Sequence, residues 1–391
     1  DTTNDSITII QEKIYDTLQL INQYETNAER NFNFADSSKY MLSEDLDPAA
    51  SGTLNINGVS NTAPSTLDAN NHTLFNLQNE TALNIKNTTI ENAKDYAIKA
   101  ENINSNVNLT NTSFKNTQGT AIQSNVDINI TADNGKSEFT GNTSAIQMND
   151  ASKSINMLAV NQGEIVLSDV VDGAQGYNIN LDGDDKSKIT INNNVNNANI
   201  SLDNTNLYLS NETYFDNSQS LSLNSGAMYL NNDAIGTMHI PTLNLNGTTN
   251  LSVDVDLANE SMDRITADTY NVSENALLNV TNLNLLTTTD KTSVKILFAD
   301  EPIANNVEYT GSSPVSYNGT NTVYSPIYKY NVQYGVDSED NLGYFFFNRT
   351  GSSSGNQSDA FNPAVLTPSV ATQAGAYTTQ LQTFNYAFQH S

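Results

Sequence analysis

Short apolar alternations, a 24-residue repeat and asparagine-rich corners predict an all-β chain wound as a right-handed parallel β-helix solenoid. The alternations begin near Gly52. They include Leu54 with Ile56, Leu83 with Ile85, Val107 with Leu109, Ile128 with Ile130, Ile165 with Leu167, Ile179 with Leu181, Ile200 with Leu202, Leu221 with Leu223 and Leu243 with Leu245. Each sets two or three apolar side chains on one side of a strand, and each is bounded by Asn, Asp, Gly or Ser. Strands this short suit the faces of a solenoid coil better than those of a sandwich.

The repeat is the second observation. Asn84-Ile85-Lys86-Asn87-Thr88-Thr89-Ile90 leads to Ala97-Ile98, and Asn108-Leu109-Thr110-Asn111-Thr112-Ser113-Phe114 leads to Ala121-Ile122. A third copy, Phe139-Thr140-Gly141-Asn142, ends at Ala145-Ile146, again 24 residues on. Stacking one coil on the next sets Ile on Ile and Asn on Asn. Asparagine tolerates the left-handed backbone of tight corners, and its amide can hydrogen-bond from coil to coil.

The remaining elements follow in chain order. Within residues 1–50, Ile10, Ile14, Leu18, Ile21 and Tyr24 fall on one face of a helix spanning Asp5 to Arg30, so this segment is expected to form an N-terminal helical cap and connector. Residues 51–250 are the β-helix proper. Residues 251–350 form a distinct C-terminal region, opening on Ser252-Val253-Asp254-Val255-Asp256-Leu257. Near its end, the alternation from Tyr324 to Tyr334 and the run Gly343 to Phe347 predict a hairpin that closes the solenoid. Residues 351–391 read as a Gly/Ser linker and a second helix, with Val370, Ala374, Tyr377, Leu381, Phe384 and Phe388 on one side.

Charge narrows the function. The chain has 391 residues, a formal net charge of −27, and only 16 basic residues against 43 acidic ones. Such a surface repels phosphate backbones and anionic lipid, which excludes nucleic acid as a partner. Cysteine is absent, as expected either of a cytosolic chain or of one exported through a narrow pore. No stretch is apolar over the roughly 20 residues needed to span a bilayer as a helix. The opening Asp1-Thr2-Thr3-Asn4 carries neither an initiator Met nor a signal peptide, the expectation for a processed chain.

With those residues in view, the sequence resembles the passenger domains of type V autotransporters, of the AIDA- and pertactin-like or polymorphic-membrane-protein-like kind. The Phe-Thr-Gly-Asn and Ala-Ile copies at 139–146 and 114–122 look like their coil motif. Val253 to Ile265 is similar to the start of their stability, or autochaperone, region. The aromatic strand Tyr344 to Phe347 sits where such passengers end, and Asn362-Pro363 with the following helix resembles the linker that threads their translocation barrel. The resemblance implies display at the outer-membrane surface of a Gram-negative bacterium, through a C-terminal barrel outside this sequence. It also implies adhesion to host or bacterial surface glycans or proteins, or self-association, without a cofactor.

Residues for chemistry are few. His72, His239 and His390 lack metal-ligand spacing. Serine-protease autotransporters carry Gly-Asp-Ser-Gly, whereas this chain has only Asn224-Ser225-Gly226. The strongest candidate is the turn Leu181-Asp182-Gly183-Asp184-Asp185-Lys186, where Asp182, Asp184 and Asp185 would hold Ca²⁺ or act as an acid–base pair. That is the basis of the alternative reading, a β-helix polysaccharide lyase or hydrolase. Against it, the three arginines (Arg30, Arg264 and Arg349) all lie far from the turn in sequence. A pure stalk is a third reading.

Overall fold

Ile122 pairs with Ile98 on one side and with Ile146 on the other, so the 24-residue repeat is one turn of a solenoid. The computed structural model describes residues 5–9, 29–34, 39–42, 45, 52–79, 81–304, 313–325 and 328–350. Among these residues sheet 1 has twelve strands, running from Asp5–Ile9 to Arg264–Val272. Sheet 2 follows a path from Lys39–Met41 to Val315–Tyr317, and sheet 3 contributes five strands between Phe75–Leu77 and Val171–Gly173. Within each path the pairing is parallel and one coil apart, the arrangement of a parallel β-helix.

The core follows from the period of two. Leu54, Leu83, Val107, Ile128, Ile155, Ile179, Ile200, Leu221 and Leu243 stand one above another, and none is more than 1 % exposed. Burying such a side chain stabilises the fold by about 1.5–3 kcal/mol, and the solenoid repeats that gain at every coil. In sheet 2, Phe114 stacks on Phe139 with ring centroids 5.0 Å apart.

The corners explain the asparagines. Asn87, Asn92, Asn111, Asn116 and Asn134 all have φ between 46° and 59°. Gly141, with φ 73°, takes the place of Asn116 one coil later. Coil length varies at these corners while the strands keep their register: successive rungs of one column are 21, 24, 27 or 29 residues apart.

The outward column of sheet 1 is Asn31, Asn55, Asn84, Asn108, Asn129, Asn156, Asn180, Ser201, Ser222, Asn244 and Asn271. The first seven are joined by side-chain amide bonds of 2.7–2.9 Å.

Two expectations are corrected at the N-terminus. Asp5–Ile9 and Glu29–Phe34 are strands paired residue for residue in sheet 1, so both ends of the expected helix are extended instead. The solenoid therefore starts well before residue 51. Arg30, Phe32 and Phe34 face inward and Asn31 and Asn33 outward, a strand pattern that pairing with Gly52–Asn57 reinforces. The helical face from Ile10 to Tyr24 lies outside the described residues. The boundary at 250/251 falls inside strand Thr248–Asp256, which pairs parallel with the coils either side of it, with a one-residue register shift against the following coil between Leu251 and Ser252.

At the other end the hairpin forms as expected. Lys329–Val336 pairs antiparallel with Gly343–Arg349, and Ser293–Ala299 and Thr322–Tyr324 complete a four-stranded sheet. Phe345 is buried, and Phe298 and Tyr317 meet its ring edge-on at 5.4 Å. Because Tyr317 belongs to the last strand of sheet 2, this sheet is packed onto the end of the solenoid. The linker and helix expected beyond residue 350 lie outside the described residues. Among the described residues no helix is long and apolar enough to cross a membrane.

Candidate functional site

At the corner that follows sheet 1, one coil departs from the plain repeat. In that coil the chain leaves at Gly58 and returns at Ser65, so residues 58–64 form an inserted loop. A Cβ on Gly58 would stand 1.9 Å from the Asn87 carbonyl oxygen, so only glycine lets the loop depart this close to the next coil. The loop crosses the neighbouring corners and is pinned where Asn61 Nδ2 donates to the Asn134 carbonyl at 2.5 Å. Between this loop and the turn at 184–186 lies a lateral groove of about 780 Å³.

Its floor is built from the left-handed corners. Asn111 Nδ2 donates to Asn87 Oδ1 at 3.2 Å and to the Asp133 carbonyl at 3.1 Å, while Asn111 Oδ1 accepts from the Asp133 N–H. Asn161 Nδ2 donates to Asp133 Oδ1 at 2.8 Å. The backbone N–H groups of Asn87, Asn111 and Asn134 are each taken by the next coil's carbonyls.

The acidic turn lies at one end of this groove, and the structure separates its three carboxylates. Asp182 is an exposed, outward position of sheet 1, and its carboxylate accepts from the neighbouring Gly183 N–H. Asp184 lines the groove and accepts from the N–H groups of Asn161 (2.7 Å) and Lys186 (3.0 Å). The neighbouring Ser187 hydroxyl and the Asn161 backbone N–H hold its carboxyl below the ordinary range. Asp185 also lines the groove, and its carbonyl accepts from Asn206. No group of three or more His, Asp or Glu side chains among the described residues is arranged to hold a metal ion.

The histidines are also apart. His72 lies 3.3 Å from Asp45, while His239 meets Thr266 at 3.2 Å and Asp268 at 3.4 Å. His390 lies outside the described residues.

A buried acidic cluster is absent from the sequence reading. Glu212, Asp254 and Asp263 are at most 3 % exposed. Asp263 accepts from the N–H groups of Gly236 (3.0 Å) and Asp254 (2.6 Å), Asp254 from Ala234, and Glu212 from Asn232. Burial pushes Asp263 up to about 8, and the charges of Glu212 and Asp254 add to the shift. In sequence, Asp254 alternates with Val253 and Val255, which places it outward; that the 232–236 segment covers it has no local signal.

Sheets 1 and 2 differ in outward chemistry. On sheet 2, Lys39 pairs with Asp68 and Glu91, Lys115 and Lys136 with Glu138, and Lys188 with Glu164. The central column of sheet 1 carries only Asn and Ser. Compared with known proteins, the chain matches no family model, no curated sequence and no solved structure.

Proposed function

We propose that the chain is the surface-displayed passenger of an outer-membrane autotransporter, and that it acts as an adhesin or self-association module. The observation that carries this reading is the uncharged Asn/Ser column running the length of sheet 1 on a molecule with net charge −27. Elsewhere, a second copy or an acidic cell surface meets repulsion. On this face it meets repeated amide and hydroxyl groups, each weak alone and additive along the axis. The buried, continuous core and the absence of cysteine suit a rigid chain that folds after export.

The lyase or hydrolase reading has less support. A general acid requires a raised carboxyl, and Asp184 shifts in the opposite direction.

The test joins binding to chemistry. The purified chain is placed on immobilised plant, mucin and bacterial polysaccharides, with and without Ca²⁺, while retention, new chain ends and self-association by sedimentation are followed together. Retention or self-association that is lost in S201D/S222D supports adhesion through sheet 1. Neither behaviour in the unaltered chain sinks it, and new chain ends that vanish in D184N/D185N restore the enzyme.

A further inference from the structure

The groove beside sheet 1 holds hydrogen-bonding groups that the fold leaves unused. Among the described residues, the side chains of Lys86, Asn134, Gln162, Asp185 and Lys186 have no hydrogen-bond or ion-pair partner, and all are exposed along the groove. Val59, on the inserted loop at its edge, is 53 % exposed. With coils about 4.8 Å apart, the corners from Gly58 to Asp184 form a trough that suits an extended oligomer.

The lining chemistry selects among polymers. Asp133, Asp184 and Asp185 outnumber Lys86 and Lys186, so a sulfated or uronate chain meets net repulsion. The N–H groups of Asn87, Asn111 and Asn134 are already bonded to the next coil, and among the described residues no sheet edge faces the groove, which disfavours a peptide adding as a strand. Hydroxyl groups both donate and accept, and so match a mixture of amides, ammonium groups and carboxylate. The Val59 side chain offers an apolar contact for the C–H face of a sugar ring.

We propose that this groove is a binding site for an uncharged oligosaccharide. Asn134, Gln162 and Asp185 engage its hydroxyls, and the 58–64 loop forms the upper wall. The proposal extends the adhesion reading to a second surface and is tested separately from it.

The test is calorimetric titration of the full chain with cellohexaose, mannohexaose and maltohexaose, with a hyaluronan hexasaccharide as the charged comparator. At least one neutral hexaose binds, Q162A/D185A weakens it tenfold or more, and V59D weakens it while leaving the melting temperature unchanged. S201D, on the sheet 1 column, leaves hexaose binding intact. Tighter binding of hyaluronan, no binding of any neutral hexaose, or unchanged binding in both groove variants overturns the proposal. Self-association that persists in Q162A/D185A and is lost in S201D/S222D separates failure of the groove from failure of the adhesion reading.

Discussion

Arg264 Nη2 lies 2.6 Å from Asp300 Oδ1, and this pair ties the last strand of sheet 1 to the segment that follows the first strand of the C-terminal sheet. Tyr270 donates its hydroxyl to the other Asp300 oxygen at 2.9 Å, and Arg264 Nε donates to the Phe298 carbonyl at 3.2 Å. Cutting the pair loosens the closing sheet before the coils. R264M is expected to lower stability by about 1.5–3 kcal/mol, the scale of a charge-assisted hydrogen bond. Limited proteolysis should cleave first between residues 286 and 350. D300N, which keeps an acceptor for Tyr270, costs less.

The amide column predicts an order of effects at one rung. Asn108 Nδ2 donates to Asn84 Oδ1 and its Oδ1 accepts from Asn129, both at 2.8 Å. N108A removes two half-buried bonds and is expected to cost about 1–2 kcal/mol. N108D leaves two acceptors facing each other at Asn84 and costs more. Denaturant midpoints measure both, and equal midpoints would show that the column contributes nothing.

At the corner after sheet 2, Asn116 has φ 56° and its successor in the stack is Gly141. N116A keeps a Cβ in the left-handed region but loses the short polar side chain that makes this backbone tolerable for Asn, at up to about 1–2 kcal/mol, whereas N116G is close to neutral. Thermal melts of the two variants should differ in that direction.

Asp263 gives a pH signature. Its folded-state value is raised to about 8 from 3.8, so the folded chain holds a proton that the unfolded chain releases. Stability from this group is full below about 4, falls as pH rises from 4 to 8, and levels above 8. D263N faces an amide N–H₂ towards a backbone donor and is less stable, but it should lose that slope. Unfolding free energies at pH 5, 7 and 9 decide the point, and an unchanged slope in D263N would assign it elsewhere.

The inward columns were legible because each strand repeats the same two-residue period and each coil restates it; Leu54 and Ile56 need no distant information. The strands at Asp5–Ile9 and Glu29–Phe34 were harder to see. Ile10, Ile14 and Leu18 satisfy a helical period, and the short alternation of Phe32 and Phe34 gains its meaning only from pairing with the next coil. The acidic turn is read in the sequence as opening at Leu181, whereas the strand runs on to Gly183 and takes in Asp182; whether its carboxylates converge is a three-dimensional question. The groove was out of reach, since its upper wall depends on Asn61 meeting Asn134, 73 residues away.

The amide column has a direction. From Asn55 to Asn180, each Nδ2 donates towards the preceding coil. At the start, Glu29 accepts from both Asn31 (3.4 Å) and Asn55 (3.1 Å). A carboxylate can only accept, so Glu29 sets the orientation of every amide behind it. The side-chain dipoles then align head to tail and polarise one another, with the positive end of the series resting on a negative charge. Replacing Glu29 with lysine would place a donor at that end and favour reversal of the whole row, so one residue at the head of the row governs a wire of amides reaching six coils away.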